Sequence, residues 1–167
     1  MIKLLTIGVY GFTAEAFFQA LTYAHTDLLC DLRTHRGMRG TRYTFANSGC
    51  LQQHLTALGI RYQHCKELSP DATLRQLQKQ SDALLGITKR TRIALTQAFR
   101  EEYERCHLST FDTRDFIERL GPEAKTIALF CVEREPEACH RSLVAAKLAQ
   151  DLGLKVENIV PAAHALK

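Results

Sequence analysis

The sequence contains no apolar run that approaches the ~20 residues a membrane-spanning helix needs. Its opening stretch, MIKLLTIGVYG, has a single lysine and too short an apolar segment for a signal peptide, so we interpret it as a first strand. We therefore predict no membrane partner and a protein that stays in the cytoplasm. Hydrophobic residues make up 46% of the chain and charged residues 24%, which is typical of globular proteins.

Paired cysteine spacings are also absent. The six cysteines are scattered along 167 residues, unlike those of a small disulfide scaffold, so we predict reduced thiols. Structural zinc sites commonly use spacings such as C-x-x-C, and none occurs here. The nearest candidate set, Cys131, Cys139 and His140, supplies three ligands at an unusual spacing. On this spacing we predict neither a bound metal nor a cofactor.

The familiar catalytic and nucleotide-binding motifs are missing as well. The chain has no G-x-G-x-x-G, P-loop, H-E-x-x-H or G-x-S-x-G. A phosphatase loop of the C-x5-R type would need an arginine where Glu137 stands, and the acidic loop after Cys131 does not suit a sulfur-transfer domain either. Internal repeats and Pro/Gly/Ser-rich linkers are absent, so we predict one α/β domain over residues 1–167.

Apolar and amphipathic stretches alternate along the chain. Short apolar runs typical of strands are 2–8, 27–33, 60–65, 125–131 and 155–161. Stretches with helical spacing and helix-boundary residues are 13–24, 48–59, 71–105 with a break near Gly86, 113–120 and 139–153. This order predicts an α/β fold, a three-layer sandwich with a mostly parallel central sheet of about five strands, Rossmann-like.

In such a sheet the carboxyl ends of the strands lie along one edge, and ligands bind where the strand order reverses. Three segments would meet there: GVYG at 8–11, DLRTHR at 31–36 and CVEREPEACHR at 131–141. The predicted edge is therefore rich in charged residues and thiols, although their convergence depends on the strand order.

The last of these segments carries the candidate catalytic residues. Glu133 follows a strand end, where a carboxylate can act as a general base or nucleophile. Cys139 stands at a helix start, which lowers a thiol pKa, and His140 can exchange a proton near neutral pH. Two of the residues in this segment also have a less specific interpretation. Cys131 can be a small core residue, and His140 can cap backbone groups.

The candidate ligand-binding residues are basic or paired with a basic residue. Arg141 adds a guanidinium to a helix N-terminus, which favours phosphate or carboxylate. Asp31 and Arg33 are two residues apart on strand two, so their side chains point to the same side of the strand. There they can form a salt bridge or contact a ligand. Arg36 belongs to the basic loop (residues 33–42), in which four arginines recur at every third position. We predict a small anionic ligand.

Several segments resemble one known family. LFCVEREPEACHRSLVAAKL closely resembles the C-terminal signature of the domain of unknown function 488 family, and LTIGVYGFTAEAFFQAL, LLCDLRTHR and FANSGCLQQHLTALGIRYQHCKEL resemble its earlier segments in order. The resemblance implies a three-layer α/β fold but no activity. It singles out Asp31, Arg33, Cys131, Glu133, Cys139, His140 and Arg141. The chain departs from the family pattern at THRGMRG and at Ser69–Pro70, loops beside the predicted cleft.

Three hypotheses follow. The first is an enzyme that acts on a phosphorylated or nucleotide-like small ligand at the carboxyl edge of the sheet. The second is a nucleic-acid-binding or regulatory module that uses the basic loop. The third is a buried structural network of Glu133, His140 and Arg141, which an Arg141 enclosed by protein acceptors would favour. We favour the first, because a strand edge predicts a small-ligand cleft better than a flat polymer surface.

Overall fold

The computed structural model describes residues 1–163, so the last four residues of the predicted domain lie outside the described part. Within it, five parallel strands form one sheet in the order β3-β2-β4-β1-β5. The strands are β1 Lys3–Ile7, β2 Leu28–Asp31, β3 Arg61–His64, β4 Thr126–Phe130 and β5 Val156–Ile159. The predicted three-layer α/β fold is confirmed, with a sheet that is entirely parallel.

The helices follow the predicted stretches. They are α1 Ala14–Tyr23, α2 Ser48–Ala57, α3 Ala72–Leu84, α4 Gln97–Tyr103, α5 Thr113–Leu120 and α6 Arg141–Leu152. Thr13 caps α1 by accepting a hydrogen bond from the Ala16 amide at 3.1 Å, and Gly153 ends α6 in the left-handed conformation, at a φ of 66°. No helix of the described chain has the length and apolarity needed to cross a membrane.

The predicted helical region 71–105 is interrupted near Gly86, as predicted, but the break is a connection of about a dozen residues and not a single kink. Helix α3 ends at Leu84, and Gly86 follows with a φ of 65°, which a residue with a Cβ adopts only with strain. The chain then runs without regular helix until Thr96, whose hydroxyl accepts from the Phe99 amide and caps α4. This irregular connection (residues 85–96) contributes to the site described below.

The two sides of the sheet have separate cores. On one side, α1 and α2 pack Phe17 and Leu55 against strand residues that include Phe130. On the other side, α3 to α6 pack against alternate residues of the same strands, for example Phe116 against Leu129. This division follows from right-handed crossovers, because the first two connections move one way across the sheet and the next two move back.

The direction of the crossovers reverses next to β4, the central strand. Strands β2 and β1 flank β4, and their outgoing connections cover the opposite face from the connection that leaves β4. At such a point the outgoing loops diverge and leave a crevice at the carboxyl ends of the strands. The segment after β4 is therefore placed where ligands bind in sheets of this type.

Candidate functional site

A cavity of 580 Å³ opens at this crevice. Its walls are formed by residues 33–35 after β2, residues 131–133 after β4, the side of α3 from Arg75 to Ala83, and residues 87–95 of the irregular connection, with His140 beside them. We call it the edge cavity. Its volume is in the range of small-molecule sites, which is roughly 300–1,000 Å³.

Glu133 is the buried carboxylate of the edge cavity, with 5% of its surface exposed. Its Oε1 accepts a hydrogen bond from Arg92 Nη2 at 2.9 Å and lies 3.5 Å from Lys89 Nζ. Its Oε2 is buried and has no hydrogen-bond partner among the described residues. Burial raises the pKa of Glu133, and the neighbouring Cys139 adds to this, against the opposing charges of Lys89 and Arg92.

Arg92 joins three parts of the chain around this carboxylate. Its Nη1 donates to Asp82 Oδ2 at 2.6 Å and its Nε donates to the Ala138 carbonyl at 3.1 Å. Gln78 donates to the other oxygen of Asp82 at 2.7 Å. We call Asp82, Arg92 and Glu133 the open cluster. The sequence identified only Glu133 of these three, and the basic run 89–92 was the one local signal for Arg92.

Cys131, Cys139 and His140 converge beside Glu133, and all three are buried. His140 Nδ1 lies 4.0 Å from Cys131 Sγ and 3.8 Å from Cys139 Sγ, and the three ligand atoms lie within 4.8 Å of one another. His140 Nε2 is 3.0 Å from the Leu32 carbonyl. A carbonyl oxygen only accepts, so Nε2 carries a proton, and Nδ1 is the ring nitrogen that faces the two sulfurs.

The two thiols are unequal. Burial alone would raise the pKa of Cys139, but the neighbouring Cys131 thiol, His140 and Arg141 outweigh it, so the pKa is held well below its usual range. The neighbouring Cys139 sulfur, with burial, raises the pKa of Cys131. Cys131 is therefore more than the core residue that its apolar strand indicated, because it contacts the predicted catalytic cysteine and histidine.

Arg141 is fully enclosed, with an exposure of 0%. Its Nη1 donates to the Glu133 carbonyl at 2.6 Å and its Nη2 to the Arg134 carbonyl at 3.1 Å. These acceptors are backbone atoms of the loop that carries Glu133, so Arg141 holds this loop against the start of α6. For Arg141 this geometry favours the structural hypothesis, and its role as a direct anion ligand stays a prediction.

Asp31 and Arg33 form a second enclosed unit, which we call the closed cluster. Arg33 Nε and Nη2 donate to the two carboxylate oxygens of Asp31 at 2.9 and 2.8 Å, and Arg33 Nη1 donates to the Ala46 carbonyl at 2.8 Å. Tyr62 donates to Asp31 Oδ2 at 2.7 Å. Arg33 lines the edge cavity, but its guanidinium nitrogens already have protein acceptors. The predicted ligand-binding role of this pair is untested by the structure.

The basic loop does not present its arginines as one surface. Arg33 is buried, whereas Arg36 is partly buried with its Nη1 3.4 Å from the Tyr62 hydroxyl, outside the walls of the edge cavity. Arg39 and Arg42 are exposed. The ligand-binding role predicted for Arg36 therefore has no support from the cavity geometry.

Gly8 explains how the segment after β4 reaches its position. A Cβ at residue 8 would lie 1.9 Å from the Glu133 carbonyl oxygen, so only a glycine lets the two chains pass this closely. The Val9 and Tyr10 amides both donate to the Val132 carbonyl, at 2.9 and 3.0 Å. The turn after β1 thus fixes the backbone on which Glu133 stands.

The structure therefore brings the three predicted catalytic residues, Glu133, Cys139 and His140, to one point of the sheet edge. Three residues of the site that the sequence did not assign are Asp82, Lys89 and Arg92, because all three lie far from the β4 loop in the chain.

Comparison with protein-family models shows a match to the domain of unknown function DUF488 over residues 13–148. No curated protein and no solved structure matches the chain. The match spans β2, β4 and the loop that holds Glu133, Cys139 and His140, so the whole described site lies inside the matched region apart from the Gly8 turn.

Proposed function

This chain belongs to the DUF488 family, and we propose that it is an enzyme that binds a small anionic ligand, phosphorylated or nucleotide-like, in the edge cavity, with Glu133 as general base. One observation carries the proposal. Glu133 is a buried carboxylate in a cavity wall, and one of its oxygens has no partner within residues 1–163. Buried polar atoms are nearly always paired, so an orphan carboxylate oxygen in a cavity supports a role toward a bound molecule.

The charge of the cavity walls supports an anionic ligand. Arg75 and Lys79 of α3 and Lys89 of the irregular connection are exposed side chains that line it. Arg92 also lines it, but its charge is matched by Asp82 and Glu133. Lys89 also lies 3.5 Å from Glu133 Oε1, so Arg75 and Lys79 are the lining cations without a carboxylate partner among the described residues, and they attract a phosphate or a carboxylate.

Apolar residues line the same cavity and favour a ligand with an apolar or aromatic part. They are Ile87, Leu95, Phe99 and Val132, which come from three different segments. A cationic mouth with an apolar wall suits a nucleotide or another phosphorylated metabolite better than a bare inorganic ion.

Glu133 is better placed than His140 to accept a proton from the ligand or from water. His140 Nε2 donates to the Leu32 carbonyl, and its Nδ1 faces the two thiols, so neither nitrogen is free for the ligand. Glu133 Oε1 is held by Arg92, which keeps the carboxylate oriented and leaves Oε2 for proton transfer.

The nucleic-acid alternative has less support. Burial of Arg33 and the contact of Arg36 with Tyr62 leave Arg39 and Arg42 as the exposed arginines of the basic loop. Two phosphate contacts give only weak binding, because the electrostatic contribution of counterion release grows with the number of contacts. A mixed-sequence oligonucleotide is therefore a useful comparison probe in the binding test.

Ligand binding is tested by the shift of the thermal unfolding midpoint with AMP, ribose 5-phosphate, inorganic phosphate and the oligonucleotide. We expect a small phosphorylated probe to raise the midpoint of the wild type. The Arg75→Ala/Lys79→Ala double variant should bind at least about tenfold more weakly, since each charged hydrogen bond contributes about 1.5–3 kcal/mol. Arg114→Ala/Lys155→Ala removes two exposed charges away from the cavity walls and should bind like the wild type.

The binding part of the proposal is wrong if no phosphorylated probe shifts the midpoint, or if the Arg75→Ala/Lys79→Ala variant binds as the wild type does. A shift with the oligonucleotide alone would favour the nucleic-acid alternative instead.

The catalytic part is tested with the probe that binds most tightly, by chromatographic detection of its conversion. Glu133→Gln should keep binding and lose about a hundredfold to ten-thousandfold in turnover, the usual contribution of a general base. Glu137→Gln changes an exposed glutamate of the same loop and should retain turnover. Equal turnover in Glu133→Gln and the wild type would exclude the general-base role.

A further inference from the structure

We propose that Cys131, Cys139 and His140 bind a divalent transition metal ion of the zinc class in the wall of the edge cavity. The spacing of these residues in the sequence argued against such a site. In the fold, the short turn Pro136–Ala138 and the start of α6 bring Cys139 and His140 back beside the end of β4. The proximity of the three ligand atoms arises from this chain reversal.

The distances fit a metal after a small contraction. Zinc bonds of about 2.3 Å to sulfur and about 2.0–2.1 Å to nitrogen place tetrahedral ligand atoms roughly 3.5–3.8 Å apart. The two sulfur-to-Nδ1 distances are 4.0 and 3.8 Å, and no pair of the three ligand atoms is more than 4.8 Å apart. Side-chain adjustments of a few tenths of an ångström to about an ångström would close the site.

The histidine is already held as a metal ligand would be. Its Nε2–H donates to the Leu32 carbonyl at 3.0 Å, which fixes the ring and directs Nδ1 to the two sulfurs. Metal-bound histidines commonly donate their second ring N–H to a carbonyl or carboxylate in this way. Two thiolates and one imidazole are soft to borderline ligands, which favour zinc-class ions over magnesium or calcium.

A second observation is the orphan oxygen of Glu133. This residue is 5% exposed, and its Oε2 has no partner in the described part of the chain, although Cys139 is its neighbour. Lys89 and Arg92 contact the other oxygen, so their charges do not fill this position. A metal ion beside the thiols, or a water molecule bound to it, would give Oε2 a partner.

The site leaves room for such a water. Cys131 and His140 line the edge cavity, so an ion on the three ligands has its fourth position toward the cavity. Three protein ligands with an open fourth position are the pattern of catalytic zinc, which lowers the pKa of its bound water. If Glu133 is the general base proposed above, that water is its proton donor, and this part of the inference rests on the proposed function.

The experiment uses the full chain, reduced and stripped with a chelator, and titrated with Zn²⁺ and with Co²⁺ as an optical probe. We expect one zinc per chain, and a cobalt spectrum with thiolate charge-transfer bands and the strong visible bands of tetrahedral coordination. Cys131→Ala and Cys139→Ala should each weaken zinc binding by about a hundredfold or more, since loss of a second-shell contact alone costs 10–100-fold.

Cys65→Ala is the matched control, because Cys65 is a buried thiol that neighbours a second buried thiol, Cys30. This variant should bind zinc and cobalt as the wild type does. Circular dichroism checks that each variant is folded. If an alanine variant does not fold, Cys131→Ser and His140→Asn replace it, and the cobalt spectrum of the wild type is informative without any variant.

The inference is overturned if the reduced wild type gives no cobalt–thiolate band, or if folded variants at residues 131 and 139 bind zinc as tightly as Cys65→Ala. These measurements use no organic ligand, so they do not depend on the proposed function. A chain that binds zinc but no phosphorylated probe would retain the metal site and lose the anion-binding proposal, and the reverse result would do the opposite.

Discussion

Two buried arginine–carboxylate clusters lie at the same edge of the sheet, and they differ in how many of their polar atoms have a hydrogen-bond partner. In the closed cluster, both oxygens of Asp31 accept hydrogen bonds, from Arg33 and Tyr62, and all of the Arg33 donor nitrogens have acceptors. In the open cluster, all three guanidinium nitrogens of Arg92 donate to acceptors, but Glu133 Oε2 has no partner in the described part of the chain. Of the closed cluster, Arg33 reaches the wall of the edge cavity and Asp31 does not, whereas Asp82, Arg92 and Glu133 of the open cluster all line it.

The difference separates a structural role from a chemical one. A buried charge pair whose hydrogen bonds are complete holds loops in place, and Arg33 also lies 4.7 Å above the Phe130 ring. A buried carboxylate oxygen without a partner carries a desolvation cost that the fold does not offset. Proteins keep such groups mainly where a ligand, a metal ion or a proton will use them.

Breaking the closed cluster should have the largest effect on stability. Arg33→Met leaves the Asp31 carboxylate buried without its counterion, so we expect a loss of about 3–5 kcal/mol in the free energy of unfolding. Urea denaturation followed by circular dichroism measures it. Arg119→Met removes an exposed partner of Asp115 and should change the free energy by less than about 1 kcal/mol. A similar small change for Arg33→Met would contradict the structural role of the closed cluster.

The backbone support of the open cluster is tested at Gly8. Gly8→Ala places a methyl group 1.9 Å from the Glu133 carbonyl oxygen, which is also the acceptor of Arg141, so the β4 loop must shift. We expect a loss of about 1–3 kcal/mol, as for other overpacked sites. Gly49→Ala is the control in the same assay, because its added methyl group meets no atom within 4 Å on α2 and should stabilise by about 0.5–1 kcal/mol.

The smallest effect is expected at the orphan oxygen itself. Glu133→Gln keeps an acceptor for Arg92, whose charge Asp82 still matches, and it replaces a carboxylate whose Oε2 has no partner among the described residues, so the free energy of unfolding should change by less than about 1 kcal/mol. Asp31→Asn makes the same chemical change in the closed cluster and should lose about 1.5–3 kcal/mol, because satisfied charged hydrogen bonds are lost. Equal losses in the two variants would remove the distinction between the clusters.

Local features of the chain were predicted well. The helix 113–120 was predicted with the bounds that α5 has, and Gly86 was identified as a break because a glycine ends a helical pattern. Glu133, Cys139 and His140 were found because they stand in one short loop at a strand end. Arg92 was not found, since its contact with Glu133 spans 41 residues and leaves no local pattern, and Asp82 is linked to Glu133 through Arg92.

The sequence by itself determined the alternation of strands and helices, the parallel sheet and the edge at which the charged segments meet, because periodicity and helix boundaries are local properties. Only the tertiary structure decided which charged groups form hydrogen bonds to other protein atoms and which keep an atom without a partner in the described residues. Arg33 and Arg141 were predicted from their charge as ligand contacts, yet packing encloses both among protein acceptors. Whether a buried polar atom finds a hydrogen-bond partner depends on the convergence of distant segments. This convergence leaves Glu133 Oε2 without a partner among the described residues and brings the two thiols and His140 together.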